Sequence, residues 1–180
     1  KLEFLKWARE VKQCEWDEKT ITVAADKGNL EMLKYCFSND CPCDKRASCI
    51  QAAAGGNLDC LRFLFDKVKP SRDTEKDAAL LAAGNGHIDI LKYFVEERKI
   101  ADDLKFNYLV ASAAVHGQLD CLKYLVEEAK VPLNQGDFIA FARYYERHEC
   151  LNYLLEKGCP EPTDEEYAWF CRRQATRMRE

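Results

Sequence analysis

Apolar residues recur along this chain three and four positions apart, and the whole pattern returns at a near-fixed interval. Four segments carry it in full: 28–35 (GNLEMLKY), 56–63 (GNLDCLRF), 86–93 (GHIDILKY) and 117–124 (GQLDCLKY). Subtracting their numbers, the leading glycines lie 28, 30 and 31 residues apart. Partial copies flank them at 2–7 (LEFLKW) and 148–153 (HECLNY). Within each copy a leucine recurs at Leu5, Leu33, Leu61, Leu91, Leu122 and Leu151. An aromatic follows two residues later, at Trp7, Tyr35, Phe63, Tyr93, Tyr124 and Tyr153. Such spacing is the buried stripe of an amphipathic helix. An acid opens each one (Glu3, Glu31, Asp59, Asp89, Asp120, Glu149), where it faces the positive end of the helix dipole. Lys6, Lys34, Arg62, Lys92 and Lys123 follow three residues on, so i,i+3 ion pairs on a solvated face are expected.

A second helical pattern precedes each copy and ends in paired alanines, at 24–25, 52–53, 82–83 and 113–114. Small pairs let helices approach closely, and the glycine that follows suits a tight interhelical turn. Helix starts are marked by Asp17, Asp44, Ser71 or Asp73, Asp103, Asn134 and Thr163, the last forming a capping box with Glu166. No alternating run of β-branched residues predicts a strand. The chain therefore reads as a single all-α solenoid domain over 1–180, built of stacked helix pairs. Pairs are predicted at 17–38, 44–68, 74–98, 104–129 and 134–157, with single flanking helices at 1–10 and 163–176. The chain starts at Lys1 inside the pattern, so it is expected to be a piece of something longer.

Composition narrows the function. Of 180 residues, 27 are Lys or Arg against 31 Asp or Glu, a net charge of -4. That balance lacks the cationic excess a general nucleic-acid binder needs. No apolar run approaches the roughly 20 residues of a membrane helix, and the first residues do not read as a secretory signal. With 8 glycines and 5 prolines the chain is too poor in breakers to be disordered.

Segment 81–92 (LAAGNGHIDILK) resembles the ankyrin-repeat signature, in which a Leu-Ala-Ala helix end leads through Gly-His into an acidic-aliphatic second helix. The loops 39–44 (NDCPCD) and 157–160 (KGCP) are similar to the family's connecting turns, and the likeness spans essentially the whole chain. The resemblance implies an ankyrin-like solenoid of about five helix pairs plus flanking half-repeats. It is the short-period form found in protist, algal and large DNA virus proteins. The family's Thr-Pro-Leu-His opening is absent, and the shortened loops fall where the family builds its projecting hairpins. In the fifth unit 143–146 (RYYE) replaces the small-residue turn, so a distorted junction is expected there.

Ten cysteines are present, and most fall in apolar slots of the repeat. Cys60, Cys121 and Cys150 share a helical slot with Phe4, Met32 and Ile90. Cys14, Cys41 and Cys159 share a loop slot with Val68, Ile100 and Val131. They read as small hydrophobes in a reducing, intracellular compartment. Cys36, Cys41, Cys43 and Cys49 lie within fourteen positions and are candidate zinc ligands, but they lack paired C-x2-C spacing, so no metal or cofactor is assigned. His87, His116 and His148 fall at helix junctions with no nucleophile motif beside them, and no enzyme activity is assigned.

The reading that follows is a monomeric module that binds another protein, with neither nucleic acid nor membrane as partner. Two alternatives stand beside it: a substrate-recruiting or targeting domain of a larger enzyme or ubiquitin-ligase adaptor, and an architectural subunit of a large assembly. Residues shared by every copy serve the fold, so recognition is expected at exposed loop ends and first turns. Those are Trp16, Glu18 and Lys19; Lys45 and Arg46; Arg72 and Glu75; Asp102 and Lys105; Gln135 and Asp137. Trp16 has two readings, an exposed anchor for a partner or a side chain packed on the neighbouring loop as Leu133 is.

Overall fold

The computed structural model describes residues 2–100, 107–134 and 137–177, and within them the chain forms twelve helices and no strand. Helix α1 covers 2–11. Five pairs follow: α2 Glu18–Asp26 with α3 Leu30–Ser38, α4 Lys45–Ala54 with α5 Leu58–Val68, α6 Arg72–Asn85 with α7 (88–97), α8 Asn107–His116 with α9 (119–128), and α10 Phe138–Tyr144 with α11 His148–Glu156. Helix α12, Asp164–Arg177, closes the stack. The last turns of α1, α7 and α9 are π-helical. The start expected for the fourth pair, with Asp103 as its cap, lies outside the described residues.

The caps follow the sequence closely. Asp17, Asp44 and Ser71 accept from the backbone N–H of Lys19, Ala47 and Thr74 at 3.0, 2.9 and 3.3 Å. Thr163 and Glu166 form the reciprocal box, at 2.8 and 3.3 Å. Asn134 is not a cap: α10 starts at Phe138 behind Asp137. Just before Asn134, the carbonyl of Leu133 accepts from the Cys159 thiol at 3.6 Å.

First helices pack directly on their neighbours, α2 on α4, α4 on α6, α6 on α8, while successive second helices touch less. Alanines explain the difference. The pairs at 24–25, 52–53, 82–83 and 113–114 are fully buried and bring the first-helix backbones together, whereas Phe94, Leu64 and Leu125 fill the wider second layer. The stack therefore curves toward its first helices.

After three of the turns the next residue locks this spacing. Asn57 donates through its side-chain amide to the carbonyls of Ala25 and Asp26 at 2.8 and 2.7 Å, the orphan acceptors at the end of α2. His87 Nε2 donates to the Ala54 carbonyl at 2.8 Å and Arg147 Nε to that of Val115 at 2.9 Å. These side chains lie against the preceding turn, so Gly28 (φ +65°) is needed twice over: a Cβ there would overlap the Asn57 amide. The fifth junction is not distorted. Glu146 adopts φ +57°, and Arg147 N bonds to Ala142 O at 2.8 Å, the same turn made by Asn57 N to Ala52 O at 2.9 Å. A non-glycine residue bears the left-handed conformation there.

Three further expectations are corrected. The i,i+3 ion pairs do not form along the second helices; among the described ones only Lys6–Glu3 does. Arg62 and Lys92 instead reach the next unit, Arg62 pairing with Glu97 and lying over the Tyr93 ring, Lys92 pairing with Glu128 over Tyr124. The long side chains gain more from a ring and an acid across the groove than from a neighbour on a wet helix face. The aromatic column is core at Tyr93, Tyr124 and Tyr153, but its hydroxyls point back across the units, Tyr35 to Glu10, Tyr124 to Glu96 and Tyr153 to Glu127 at 2.8 to 3.1 Å. At α1 the pattern fails. Phe4 is 71% exposed and Trp7 and Cys14 are exposed, because among the described residues α1 has no first helix against it.

Glu75 is the fourth correction. Proposed from sequence as exposed, it is 2% exposed. Helix α6 starts at Arg72, two residues earlier than expected, and Glu75 lies on its inward side, where it pairs with Arg72 at 2.7 Å and with Arg98. Arg72 also donates to the carbonyls of Arg98 and Lys99, at 3.0 and 2.9 Å. The three residues tie the start of α6 to the loop after α7.

Two stability predictions follow from these positions. Leu91→Ala, at a fully buried slot, should cost about 2–5 kcal/mol in denaturant unfolding, and an unchanged midpoint would show that the leucine column is not the core. Glu75→Ala should cost about 1–2 kcal/mol by leaving the half-exposed Arg72 and Arg98 guanidinium groups without their shared acid, with Glu75→Gln losing less; equal stability of all three chains would mean the triad is idle.

Candidate partner-binding surface

The residues expected to bind a partner divide into three groups. Glu18, Lys19, Lys45 and Arg46 are exposed on the first turns of α2 and α4, as is Asp137 before α10. Arg46 is engaged, pairing with Asp77 of the next first helix. Trp16 and Arg72 are half-buried and structural. Trp16 lies edge-on to Tyr35 at 6.1 Å under the Arg9 guanidinium at 4.9 Å, so it packs as Leu133 does. Glu75 is buried, as described above, and Asp102, Lys105 and Gln135 lie outside the described residues.

A continuous face that the sequence reading passed over lies on the first helices. Counting back from each turn residue, the alanine pairs point into the stack. Positions five and nine before the turn lie opposite them and one helical turn from each other. The five-back set is Val23, Gln51, Leu81, Ser112 and Phe141; the nine-back set is Lys19, Ala47, Asp77, Tyr108 and Asp137. None of these residues is fully buried, and the exposed large hydrophobics Val23, Leu81 and Tyr108 all belong to these sets. Lone exposed apolar residues are ordinary, but three in register on one face of a stack form a stripe. The signal was present in the sequence: at these slots repeat-equivalent position goes with unlike chemistry, whereas the inward slots keep small or apolar residues.

The stripe ends in two depressions beside α12. One, of about 410 Å³, is lined by Asp137, Ile139, Pro160, Glu161, Glu166 and Trp169 among others. The second, of about 320 Å³, lies over α10 between α8 and α12.

Cysteine chemistry does not build a site here. All ten thiols are free. Of the four candidate zinc ligands, Cys41 donates to the Asp17 carbonyl at 3.6 Å, Cys43 lies 3.4 Å from the Ser48 hydroxyl, and Cys49 is sealed in the core. Among the described residues no three His, Cys, Asp or Glu side chains converge as metal ligands. Burial pushes Cys41 and Cys49 up to about 12 and Cys121 and Cys150 up to about 11. No helix among the described residues is long and apolar enough to cross a membrane.

The thiols give a pH prediction. Denatured protein should titrate ten thiols, whereas folded protein at pH 8 should label Cys14 fast and the buried ones slowly. Because the folded state holds these thiols protonated above their ordinary value of 9.0, their stabilisation is complete below about pH 9 and is lost as pH rises toward 12. A denaturation midpoint that stays flat from pH 8.5 to 10.5 would contradict this.

Comparison with known proteins bears on the same geometry. The family model for ankyrin repeats (3 copies) matches residues 49–137 and 81–166, together more than half of the chain. Among solved structures, a chain in the crystal structure of the yeast ribosomal protein Rps3 in complex with its chaperone Yar1 is 27% identical. It superposes with a TM-score of 0.55, and the match covers 66% of this chain and 96% of that one. Curated proteins give no match. The match spans more than half of the chain, so this chain belongs to the ankyrin-repeat family and is a protein–protein interaction module.

Proposed function

We propose that the first-helix stripe is the recognition face, and that the chain holds a partner protein there without performing chemistry of its own. One observation carries the reading. Two slots per unit, related by one helical turn and pointing away from the core, change from Lys19 and Val23 through Asp77 and Leu81 to Tyr108 and Ser112. The inward slots between them stay small or apolar, as at Ile21, Cys49, Ala79, Val110 and Ile139. A partner laid along the stack would meet a different residue pair at every step, which is how a repeat surface encodes specificity. Tyr108, 60% exposed, has the size and polar tip of an interface anchor.

The loop ends inferred from sequence, Glu18, Lys45 and Arg46, border this face and would meet the edge of the same partner. The similar yeast structure is of a ribosomal protein bound to its chaperone, which supports a role in holding another protein. An intracellular setting, a monomeric state and the absence of nucleic-acid binding belong to this reading and rest on the free thiols and the balanced charge.

Photo-crosslinking tests it. A benzophenone amino acid at Leu81 or Tyr108 should give a discrete covalent adduct in cells, while the same group at Lys34 or Asn152, exposed on second helices, should not. The captured partner should then lose about tenfold or more in affinity for Tyr108→Ala. Adducts confined to Lys34 and Asn152 would place recognition on the opposite side.

A further inference from the structure

Four tyrosines occupy the aromatic column, and at three of them a glutamate of the preceding unit receives the hydroxyl. Tyr35 donates to Glu10 at 2.8 Å, Tyr124 to Glu96 at 3.0 Å and Tyr153 to Glu127 at 3.1 Å. Each acceptor stands five residues after the recurring leucine. A cation lies over each of these rings as well, Lys6, Lys92 and Lys157 in turn. The molecule thus builds one motif three times: a phenol under a cation, donating to a carboxylate.

The fourth copy is incomplete. Tyr93 lies under the Arg62 guanidinium at 4.5 Å, but the acceptor slot holds Asp66, one methylene shorter, which pairs with Lys67 at 3.5 Å. Tyr93 is 7% exposed, and its hydroxyl makes no hydrogen bond among the described residues. No unpartnered side-chain oxygen among them is sealed from water, so this hydroxyl opens into the groove that Tyr93 lines. The groove, of about 620 Å³, lies between the ends of α5 and α7 and is lined by Arg62, Lys69, Tyr93 and Arg98 with the acids Asp66 and Glu97. Those acids are already engaged, Glu97 bidentately by Arg62 and Asp66 by Lys67. Arg98 shares the buried Glu75 with Arg72, and Lys69 forms no ion pair among the described residues, so the groove keeps a positive surplus. Burial raises the Tyr93 hydroxyl above its ordinary value, against the opposing effect of Arg98 and Arg62, and it stays a donor at neutral pH.

We propose that this groove binds the carboxylate of a glutamate side chain presented by a partner protein, the acid standing on Tyr93 where Glu96 and Glu127 stand on the tyrosines of the later units. The repeat itself names the occupant, because the same phenol under the same kind of cation meets a carboxylate in every other copy. Tyr93 donates to one carboxylate oxygen, and Arg98 and Lys69 supply the opposite charge through N–H donors that their own contacts leave over. Phe65 and Pro70 complete the lining, an apolar wall for the methylenes of the glutamate. The site belongs to the second layer and stands apart from the first-helix stripe, so it adds a contact to that reading without moving it.

Peptide titration followed by NMR tests it. The peptide acetyl-Ala-Ala-Glu-Ala-Ala-amide should shift the Tyr93 ring and the Nε–H signals of Arg62 and Arg98. It should bind about tenfold or more tightly than the same peptide with Gln in place of Glu. Tyr93→Phe should weaken it several-fold in a chain that melts normally, and Lys69→Glu should do the same. Asp66→Glu is the sharpest variant, since it completes the motif within the chain: its carboxylate should occupy Tyr93 and lower peptide affinity about tenfold, whereas Asp66→Asn should not. Equal affinity of the Glu and Gln peptides, or an Asp66→Glu chain that binds as the parent does, overturns the proposal. Equally tight binding of inorganic phosphate, or of acetyl-pentaalanine through its terminal carboxylate, would make the groove a site for any anion and overturns it too. Shifts at Val23, Leu81 and Tyr108 in place of the groove residues would overturn it while leaving the first-helix stripe as the binding face.

Discussion

The side chain that follows a turn and bonds back to the end of the preceding first helix, as at Asn57, His87 and Arg147, sets the geometry of much else in this molecule. A helix ends with carbonyls that have no partner in the helix itself. In a stack of helices some of those carbonyls lose water as well, and leaving one bare costs about 1–3 kcal/mol. Here the next unit supplies the donor, through an amide in Asn57, an imidazole in His87 and a guanidinium in Arg147. Three unlike groups perform one task because the task needs only a donor at the right reach. The turn glycine, the paired alanines and this donor form a single device: the alanines bring the first helices close enough for the reach, and the left-handed turn aims the chain so that it is possible.

The second layer obeys a different rule. Its helices stand further apart, and long side chains span the gap, tyrosine hydroxyls to glutamates and cations to rings. Such contacts are individually weak and tolerant of geometry. A short rigid link on one side and long adaptable ones on the other produce curvature toward the first helices. They also leave several outward slots of the first helices, among them those of Val23, Leu81 and Tyr108, largely open to solvent, so residues there can differ between units at little cost to the fold. That freedom is what a recognition surface requires, and it arises from packing before any partner is considered.

The helix pairs, their caps and the buried leucine column were legible in the sequence because each rests on local spacing or local hydrogen bonding. What was not legible depended on which neighbour a side chain meets. Arg62 has an acid three residues back and one in the next unit, and spacing alone favours the nearer, whereas the Tyr93 ring decides for the farther. Glu75 looked exposed because the start of α6 was placed at Asp73 or Ser71 alike; taking Ser71 rotates Glu75 into the stack. Phe4 repeats the buried slot of Ile90 and is exposed, since burial needs a neighbour and not just a motif. The slots proposed for recognition occupy equivalent positions in every unit, but they carry no special residue type, and a search for exposed loop ends passes over them.

The break in the pattern at α10 to α12 belongs to the same logic. In a regular array every first helix meets an alanine pair on its neighbour, so no gap is left between them and the outward face stays shallow. Phe170 in the alanine slot forbids that approach, and the shortness of α10 removes the side chains that would have covered its ends. A cavity then follows from two ordinary facts, a large residue where a small one fits and a helix one turn too short.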